Sequence, residues 1–201
     1  MVDEETALTT ASRITVGVMR RDELRFLLEL WHRPEVMRCA DELPSLRGWT
    51  KSVDPDEAWR EHRRQRAVYG ALYTQLIVRL PEGQPIGESF VAPLPEGYEF
   101  GRWRKPRGLK TVMGDLKLLP EYWGRGLGTE AMRDVVRWIF RRTECQLFVV
   151  PPHLRNPAAQ RVYEKAGFEF YAGMRSAYGH RLMELSRRRY LARARPQRGP
   201  A

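Results

Sequence analysis

Long apolar runs and clustered cysteines are both missing from this sequence of 201 residues. No stretch approaches the roughly 20 apolar residues that a membrane-spanning helix needs, and residues 1–10 are acidic and polar, so we expect neither a membrane span nor a secretory signal. The two cysteines, Cys39 and Cys145, lie far apart and without a CxxC or Cys/His cluster. The sequence therefore predicts a cytoplasmic protein with no disulfide framework and no metal site.

Lysine is scarce, with five residues against 30 arginines, and the formal net charge is +10. A positive field of this size raises the hypothesis of nucleic-acid binding. Six of the arginines, however, lie in residues 186–201, which contain no acid, so most of the excess charge belongs to this segment. We therefore predict an N-terminal extension over residues 1–12, one domain over 13–185 and a basic, flexible tail over 186–201, and we do not expect nucleic acid as a partner.

Hydrophobic periodicity predicts alternating strands and helices within this domain. Residues 109–119 resemble a strand, residues 126–142 an amphipathic helix, and residues 145–150 a strand buried on both faces. Strand, helix and strand form a βαβ unit, so the two strands should be parallel. Residues 93–108 are predicted to be a long solvated loop, rich in aromatic and basic residues. The coarse element order is β-α-α-β-β-β-α-β-α-β-β.

The segment at residues 122–131, which reads YWGRGLGTEA, lies at the junction of a predicted strand and helix. Glycines at such a junction let the backbone approach a ligand closely, and the amides of the first helical turn point at that ligand. This geometry favours a diphosphate. The segment lacks the GKS or GKT ending of a Walker loop, and its GxGxG spacing differs from the GxGxxG of the dinucleotide fingerprint.

The glycine segment instead resembles the pyrophosphate loop of the GNAT superfamily of acetyl-CoA-dependent N-acetyltransferases, usually written Q/R-x-x-G-x-G/A. Here it reads Trp123-x-x-Gly126-x-Gly128, with tryptophan in place of the Gln or Arg. A second block, residues 156–168, resembles the N-x-x-A-x-x-x-Y-x-K-x-G-F motif of the family's fourth helix. The two blocks have the family's order and separation, and the resemblance covers about residues 13–185.

The resemblance implies an α/β (α+β) GNAT fold: a central mixed, mostly antiparallel sheet, flanked by helices, whose parallel fourth and fifth strands splay apart. The pantetheine of acetyl-CoA would hydrogen-bond into this gap as an extra strand would. Its pyrophosphate would rest on the backbone amides of the glycine loop. The residues that we expect to bind the cofactor are Leu118, Leu119, Trp123, Gly124, Arg125, Gly126, Leu127, Gly128, Thr129 and Asn156.

An acceptor amine with a pKa of about 10 must lose a proton before it attacks the thioester, and the departing thiolate gains from a proton donor. Tyr163 occupies the position where the family often has its general acid, although it also lies on an apolar helix stripe and could be a core aromatic. Asp115 is the leading candidate for the base, as the only acid in its strand, and an ordinary exposed position is its alternative. Glu88 and a water molecule are further candidates.

Two branches of the family resemble different segments of the chain. Residues 163–168 and the glycine loop are similar to aminoglycoside 6′-N-acetyltransferases, whereas residues 128–131 are similar to ribosomal-protein N-terminal acetyltransferases, which act on peptide α-amines. The acids that could hold a polycation are Asp41, Glu42, Asp54, Asp56, Glu57 and Asp115.

We therefore expect direct acetyl transfer to a primary amine of a small cationic molecule that is aminoglycoside- or polyamine-like. A peptide N-terminus is the first alternative acceptor. The second alternative, from another class of function, is a nucleic-acid-binding protein with a non-catalytic domain of this fold. The sequence leaves open whether the chain forms a homodimer.

Overall fold

The computed structural model describes residues 12–39, 54–172 and 177–194, which form ten strands and six α-helices. The strands are β1 (Thr15–Val18), β2 (Thr74–Arg79), β3 (Pro85–Pro93), β4 (Glu99–Phe100), β5 (Trp103–Arg104), β6 (Thr111–Gly114), β7 (Lys117–Leu118), β8 (Leu147–Val150), β9 (Glu169–Phe170) and β10 (Met183–Ser186). The helices are α1 (Leu24–Trp31), α2 (Pro34–Met37), α3 (Pro55–Tyr69), α4 (Leu127–Arg142), α5 (Pro157–Ala166) and α6 (Arg187–Ala194).

Eight of these strands form one sheet in the order β1-β2-β3-β6-β8-β10-β9, with β7 following β6 along the same edge of β3. Among the described strands, each pairing is antiparallel except that of β6 with β8. The expected mixed, mostly antiparallel sheet is confirmed. The parallel β6–β8 pair joined by α4 is the βαβ unit that the hydrophobic pattern predicted.

The predicted strand over residues 109–119 is interrupted, and the interruption opens the sheet. Gly114 lies opposite Val91, and Lys117 lies opposite Glu88. The register against β3 is therefore the same before and after the interruption, and no extra residue is inserted between β6 and β7. The parallel pairing of β6 with β8 ends at Met113. Within the described part of the chain, no strand pairs with the other edge of β7.

Helices cover both faces of the sheet, because alternate residues of a strand point to opposite sides. Leu76 of β2 packs in a cluster with the apolar stripe of α4, whereas its neighbour Ile77 packs with Leu27, Leu30 and other side chains of α1. The molecule therefore has three layers, with α4 and α5 on one face of the sheet and α1 and α3 on the other.

Residues 93–108 differ from the predicted loop, because they contain the β4–β5 hairpin. Its turn includes Gly101 in the left-handed region, at φ +60°. Phe100 and Trp103 pack with side chains of β8 and with Leu182, and Trp103 is only 1% exposed. Phe100 and Trp103 thus belong to the core, Tyr98 packs against them half-buried, and the arginines of the segment face solvent.

Within the segment expected to be a flexible tail, the structure shows the helix α6. The Arg187 guanidinium donates hydrogen bonds to the carbonyls of Cys145, at 2.8 Å, and Thr143. The Tyr190 ring lies 5.1 Å from the ring of Phe140. These contacts attach α6 to the end of α4 and the start of β8. The rest of the expected tail and most of the expected N-terminal extension lie outside the described residues.

The described residues contain neither a membrane-spanning helix nor a metal-binding cluster. None of the helices there combines the length and the apolar character that crossing a membrane requires. In the same part of the chain, no three His, Cys, Asp or Glu side chains come together in a way that could hold a metal ion.

The burial of Trp103 in the β4–β5 hairpin leads to a prediction about the stability of the protein. Replacing Trp103 by alanine should lower the free energy of unfolding by roughly 3–5 kcal/mol, because it removes a large buried ring and leaves a cavity. The neighbouring Arg102→Ala, at an exposed position of the same turn, is the control and should change stability by less than about 0.5 kcal/mol. Urea unfolding followed by tryptophan fluorescence measures both. Equal stabilities of the two variants would contradict a core role for the hairpin.

Candidate active site

A cavity of about 330 Å³ lies where β6 and β8 part. Its walls come from residues 113–117, from residues 151–153 after β8, from α5, and from Trp31 and Phe90. Three residues predicted for the site, Asp115, Asn156 and Tyr163, line it together. The open edge of the sheet thus brings together three predicted residues, of which Asp115 and Tyr163 are 48 positions apart in the chain.

Helix α5 carries Tyr163 into this cavity. The helix begins at Pro157, and the Asn156 side chain caps it by accepting a hydrogen bond from the Ala159 amide at 3.1 Å. Burial, followed by the nearby Asp115 carboxylate, raises the pKa of the Tyr163 phenol, and a hydrogen bond with the Leu116 backbone opposes that shift. The phenol therefore remains protonated at neutral pH, so it can donate a proton.

Asp115 lies at the interruption between β6 and β7. Its carboxylate accepts a hydrogen bond from the Phe90 amide at 3.2 Å and another from the Lys117 ammonium. The Asp115 carbonyl accepts the hydroxyl of Ser89 at 2.6 Å. The side chain, 31% exposed, thus replaces a backbone acceptor of the strand ladder and still borders the cavity.

Behind Asp115 lies a buried carboxylate, Glu88, which is 0% exposed. It accepts hydrogen bonds from the Trp31 indole and the Lys117 ammonium, each at 2.9 Å, and from the Gln75 amide. Burial raises the pKa of Glu88 to about 7, although the Lys117 charge opposes the shift and Asp115 adds to it. Burial alone would lower the pKa of Lys117, but Asp115 and Glu88 together raise it, so the lysine is a cation at neutral pH.

Lys117 is a site residue that the sequence analysis missed. A signal existed, because residues two apart on a strand point to the same face, and Lys117 is two positions after Asp115. Its pairing with Glu88 depends on the register of β7 against β3, which the sequence does not show.

His153 and His180 were also missed. Both rings are buried, line the cavity and lie 4.8 Å apart at right angles. The His153 Nδ1 accepts the Arg155 amide at 3.0 Å, and the His180 Nδ1 lies 2.7 Å from the Pro151 carbonyl, to which it must donate. No sequence motif joins these two histidines, which only the fold makes neighbours.

The glycine loop lies outside the cavity, at the start of α4. Gly124 and Gly126 adopt left-handed φ angles of +73° and +80°, and Gly126 is the N-cap that precedes α4. Arg13 donates to the Arg125 carbonyl at 3.0 Å and pairs with Glu130 of α4, so the start of the domain holds the loop. None of residues 123–129 lines the cavity.

The expectation for Leu119 needs correction. Its amide donates to the Ile86 carbonyl at 2.9 Å, so it faces β3 and not the gap. Because backbone groups of alternate residues point to opposite edges of a strand, Leu116 and Leu118 face the gap instead. The Leu118 carbonyl there accepts the indole N–H of Trp123 at 2.8 Å, and the Trp123 side chain is 45% exposed.

The acids expected to hold a polycation are mostly elsewhere. Asp54 caps α3, and Asp56 pairs with Arg21 at 2.9 Å on the surface. Neither of them lines the cavity, and Glu57 does not line it either. Asp41 and Glu42 lie outside the described residues. Among the residues that the structure describes, Asp115 is the one acid in the cavity wall.

Comparison with known proteins decides the family. A family model described as an acetyltransferase (GNAT) domain matches residues 13–169, which include both sequence blocks and the cavity wall apart from His180. The chain belongs to the GNAT acetyltransferase family. The resemblance inferred from the glycine loop and the residue 156–168 block is thus confirmed.

Relatives within the GNAT family include aminoglycoside N(6′)-acetyltransferases type 1 from Klebsiella pneumoniae and Serratia marcescens. Each is 33% identical over 99 residues, which is 46% of this chain and 46% of the relative. The matched region therefore spans about half the length of these proteins.

Solved structures share the fold. An aminoglycoside acetyltransferase in complex with coenzyme A and kanamycin superposes with a TM-score of 0.68 at 22% identity, covering 90% of this chain and 99% of that one. A spermidine N-acetyltransferase from Vibrio cholerae, in complex with CoA and spermine, gives a TM-score of 0.67 at 16% identity with the same coverage. At these identities the likeness shows the GNAT fold.

Proposed function

We propose that this GNAT protein transfers an acetyl group from acetyl-CoA directly to a primary amine of a small cationic molecule, aminoglycoside- or polyamine-like. The observation that carries the proposal is the cavity beside the open edge of β7, where a protonated phenol, Tyr163, and a carboxylate, Asp115, face one space. The names of the relatives and the ligands of the solved neighbours, coenzyme A with kanamycin or spermine, support it.

The open strand edge suits the pantetheine arm of acetyl-CoA. An amide-bearing chain can hydrogen-bond to an unpaired strand edge as another strand would, and Leu116 and Leu118 point their backbone groups that way. The pyrophosphate would then reach the amides at the start of α4, where left-handed Gly126 and the helix dipole favour an anion. The thioester would lie in the cavity, since the cavity adjoins the same edge.

The cavity residues would act on the two ends of the reaction. The acceptor nitrogen attacks the thioester carbonyl, the new C–N bond forms, and the C–S bond breaks with the electron pair leaving on sulfur. Tyr163 would give its phenolic proton to that thiolate, since burial keeps the phenol protonated. Asp115 would attract the acceptor ammonium and take its proton, since it is the carboxylate in the cavity wall.

Gly126 provides a test of coenzyme A binding. Alanine there should cost roughly 1–2 kcal/mol of stability, because φ is +80°, and should weaken CoA binding about tenfold or more as the loop amides turn away. Gly108→Ala is the control, because Gly108 has a φ of +71° in open space away from the loop. Calorimetric titration with CoA measures both affinities. Equal CoA affinity in the two variants would remove the glycine loop from the site.

Tyr163 provides a test of proton donation. Tyr163→Phe should lower kcat by roughly ten- to a thousandfold with little change in acetyl-CoA affinity, because the ring packing remains while the proton donor is lost. Tyr190→Phe is the matched control. Tyr190 lies in α6, its ring packs against Phe140 of α4, and the variant should keep the wild-type kcat. An unchanged kcat in Tyr163→Phe would make Tyr163 a core residue only.

The acceptor class is tested with a panel of amines and detection of released thiol. Spermidine and kanamycin should be acetylated better than peptides with free N-termini. Asp115→Asn should lower kcat/KM for the best acceptor about tenfold or more, while Asp56→Asn, at a surface pair outside the cavity, should not. Acetylation of peptide N-termini alone would change the acceptor class. Salt-dependent binding of RNA or DNA without affinity for acetyl-CoA would contradict the proposed activity and support the alternative of a nucleic-acid-binding protein.

A further inference from the structure

Lys117 joins two carboxylates that differ in their access to the cavity. Its ammonium lies 2.9 Å from Oε1 of Glu88 and also donates to Oδ2 of Asp115. Asp115 and Lys117 line the cavity, whereas Glu88 does not and is fully buried. The three groups form a continuous line of hydrogen bonds from the cavity wall to the interior.

Glu88 is connected to the cavity through the hydrogen bonds of the Lys117 ammonium. On the α1 side the Trp31 indole donates to Glu88, and on the β2 side the Gln75 amide does, so both neighbours are uncharged. The Trp31 ring also lies 4.6 Å from the Lys117 ammonium. Among the described residues, the charged groups that act on Glu88 are Lys117 and Asp115, and the titratable phenol of Tyr163 lies beyond them.

The charges of this cluster do not cancel. Two carboxylates and one ammonium leave an excess of one negative charge in a largely dry place, where an uncompensated charge is costly. An acceptor ammonium that enters beside Asp115 compensates it. If one proton then moves from that ammonium to the cluster, the amine is ready to attack, and the cluster itself becomes neutral overall.

We propose that Lys117 relays the acceptor proton from Asp115 to Glu88, so that Glu88 holds it during acetyl transfer. The inference rests on the proposed function. The acceptor ammonium gives a proton to Oδ2 of Asp115, and Lys117 gives a proton to Oε1 of Glu88 as it takes the one on Asp115. At the end Glu88 is a neutral acid, Asp115 is a carboxylate again, Lys117 is an ammonium again, and the acceptor is a free amine.

The raised pKa of Glu88 makes it a better proton acceptor than an ordinary carboxylate, although the transfer from an ammonium remains uphill. An alkyl ammonium has a pKa of about 10 and an ordinary glutamate one of about 4.3, so transfer to an ordinary carboxylate is strongly uphill. Burial raises the pKa of Glu88 to about 7, which reduces that difference. Glu88 and Lys117 act through Asp115, so they are positioning residues as well as proton carriers.

The test is the pH dependence of kcat with spermidine and kanamycin for the wild type, Glu88→Gln and Lys117→Met. In the wild type kcat should fall below about pH 7, because a protonated Glu88 cannot accept a second proton. Near pH 7.5 both variants should lose about ten- to a hundredfold in kcat. Toward pH 10 the loss should shrink severalfold, because the amine then arrives without its proton. A loss that is equal at all pH values would show a structural role and overturn the relay.

Lys117→Arg separates charge from proton transfer. Arginine keeps the positive charge between the two carboxylates, but its guanidinium does not give up a proton in proteins. The relay predicts that Lys117→Arg is as slow as Lys117→Met near pH 7.5. Wild-type kcat in Lys117→Arg would mean that the charge only positions Asp115, and the relay would be wrong.

The control is Glu23→Gln. Glu23 is a buried carboxylate that pairs with Arg79 at 2.5 Å and lies outside the cavity wall. The Glu23→Gln variant should therefore change the melting temperature but not the shape of the pH profile of kcat. An acetyl-CoA-induced rise in melting temperature shows that each variant is folded. If Glu88→Gln does not fold, the wild-type profile decides, since a midpoint near 7 supports Glu88 and one near 4 overturns the relay.

The relay and the proposed function fail in different ways. A wild-type protein that acetylates none of the amines in the panel would overturn the proposed function, and the relay with it. A wild-type protein that acetylates them, with a pH profile that Glu88→Gln leaves unchanged, would overturn the relay alone.

Discussion

The end of the β6–β8 pairing is the constraint on which the rest of the site depends. Up to Met113 the two strands share parallel hydrogen bonds, and beyond it β7 continues along β3 while β8 diverges. The edge of β7 is then left with backbone groups that no described strand satisfies. A buried sheet normally pairs such groups, and in the proposed function the amides of a ligand would pair them.

The same opening explains how the two candidate side chains, Asp115 and Tyr163, meet. Asp115 belongs to the sheet face that α1 covers, together with Glu88, Phe90 and Lys117, whereas Tyr163 comes from α5 on the opposite face. A closed sheet would separate them by its own thickness. Where the strands part, groups from both faces line one cavity, and the Asp115 carboxylate there adds to the rise that burial causes in the pKa of the Tyr163 phenol. The cavity is therefore built from both layers of helices.

Much of the fold could be predicted from local signals. The apolar period of residues 126–142, the apolar run before Val150, and Asn156 and Gly167 at the ends of α5 are properties of short segments, and the structure agrees with them. Residues 93–108 could not be predicted in this way. Aromatic and basic residues alternate there as in a solvated loop, and only packing against β8 reveals that Phe100 and Trp103 are core residues.

By itself the sequence determined the family, the βαβ unit, the glycine loop and the candidates Tyr163 and Asp115. Each of them depends on residue patterns within one segment or between segments that follow each other in the chain. Tertiary structure alone decided which other side chains lie beside Tyr163 and Asp115 in and behind the cavity wall. The contact between Lys117 and Glu88 depends on the register of β7 against β3, and that between His153 and His180 on the return of the chain after β9. Register and chain return are set by packing over the whole sheet, so no local pattern contains them.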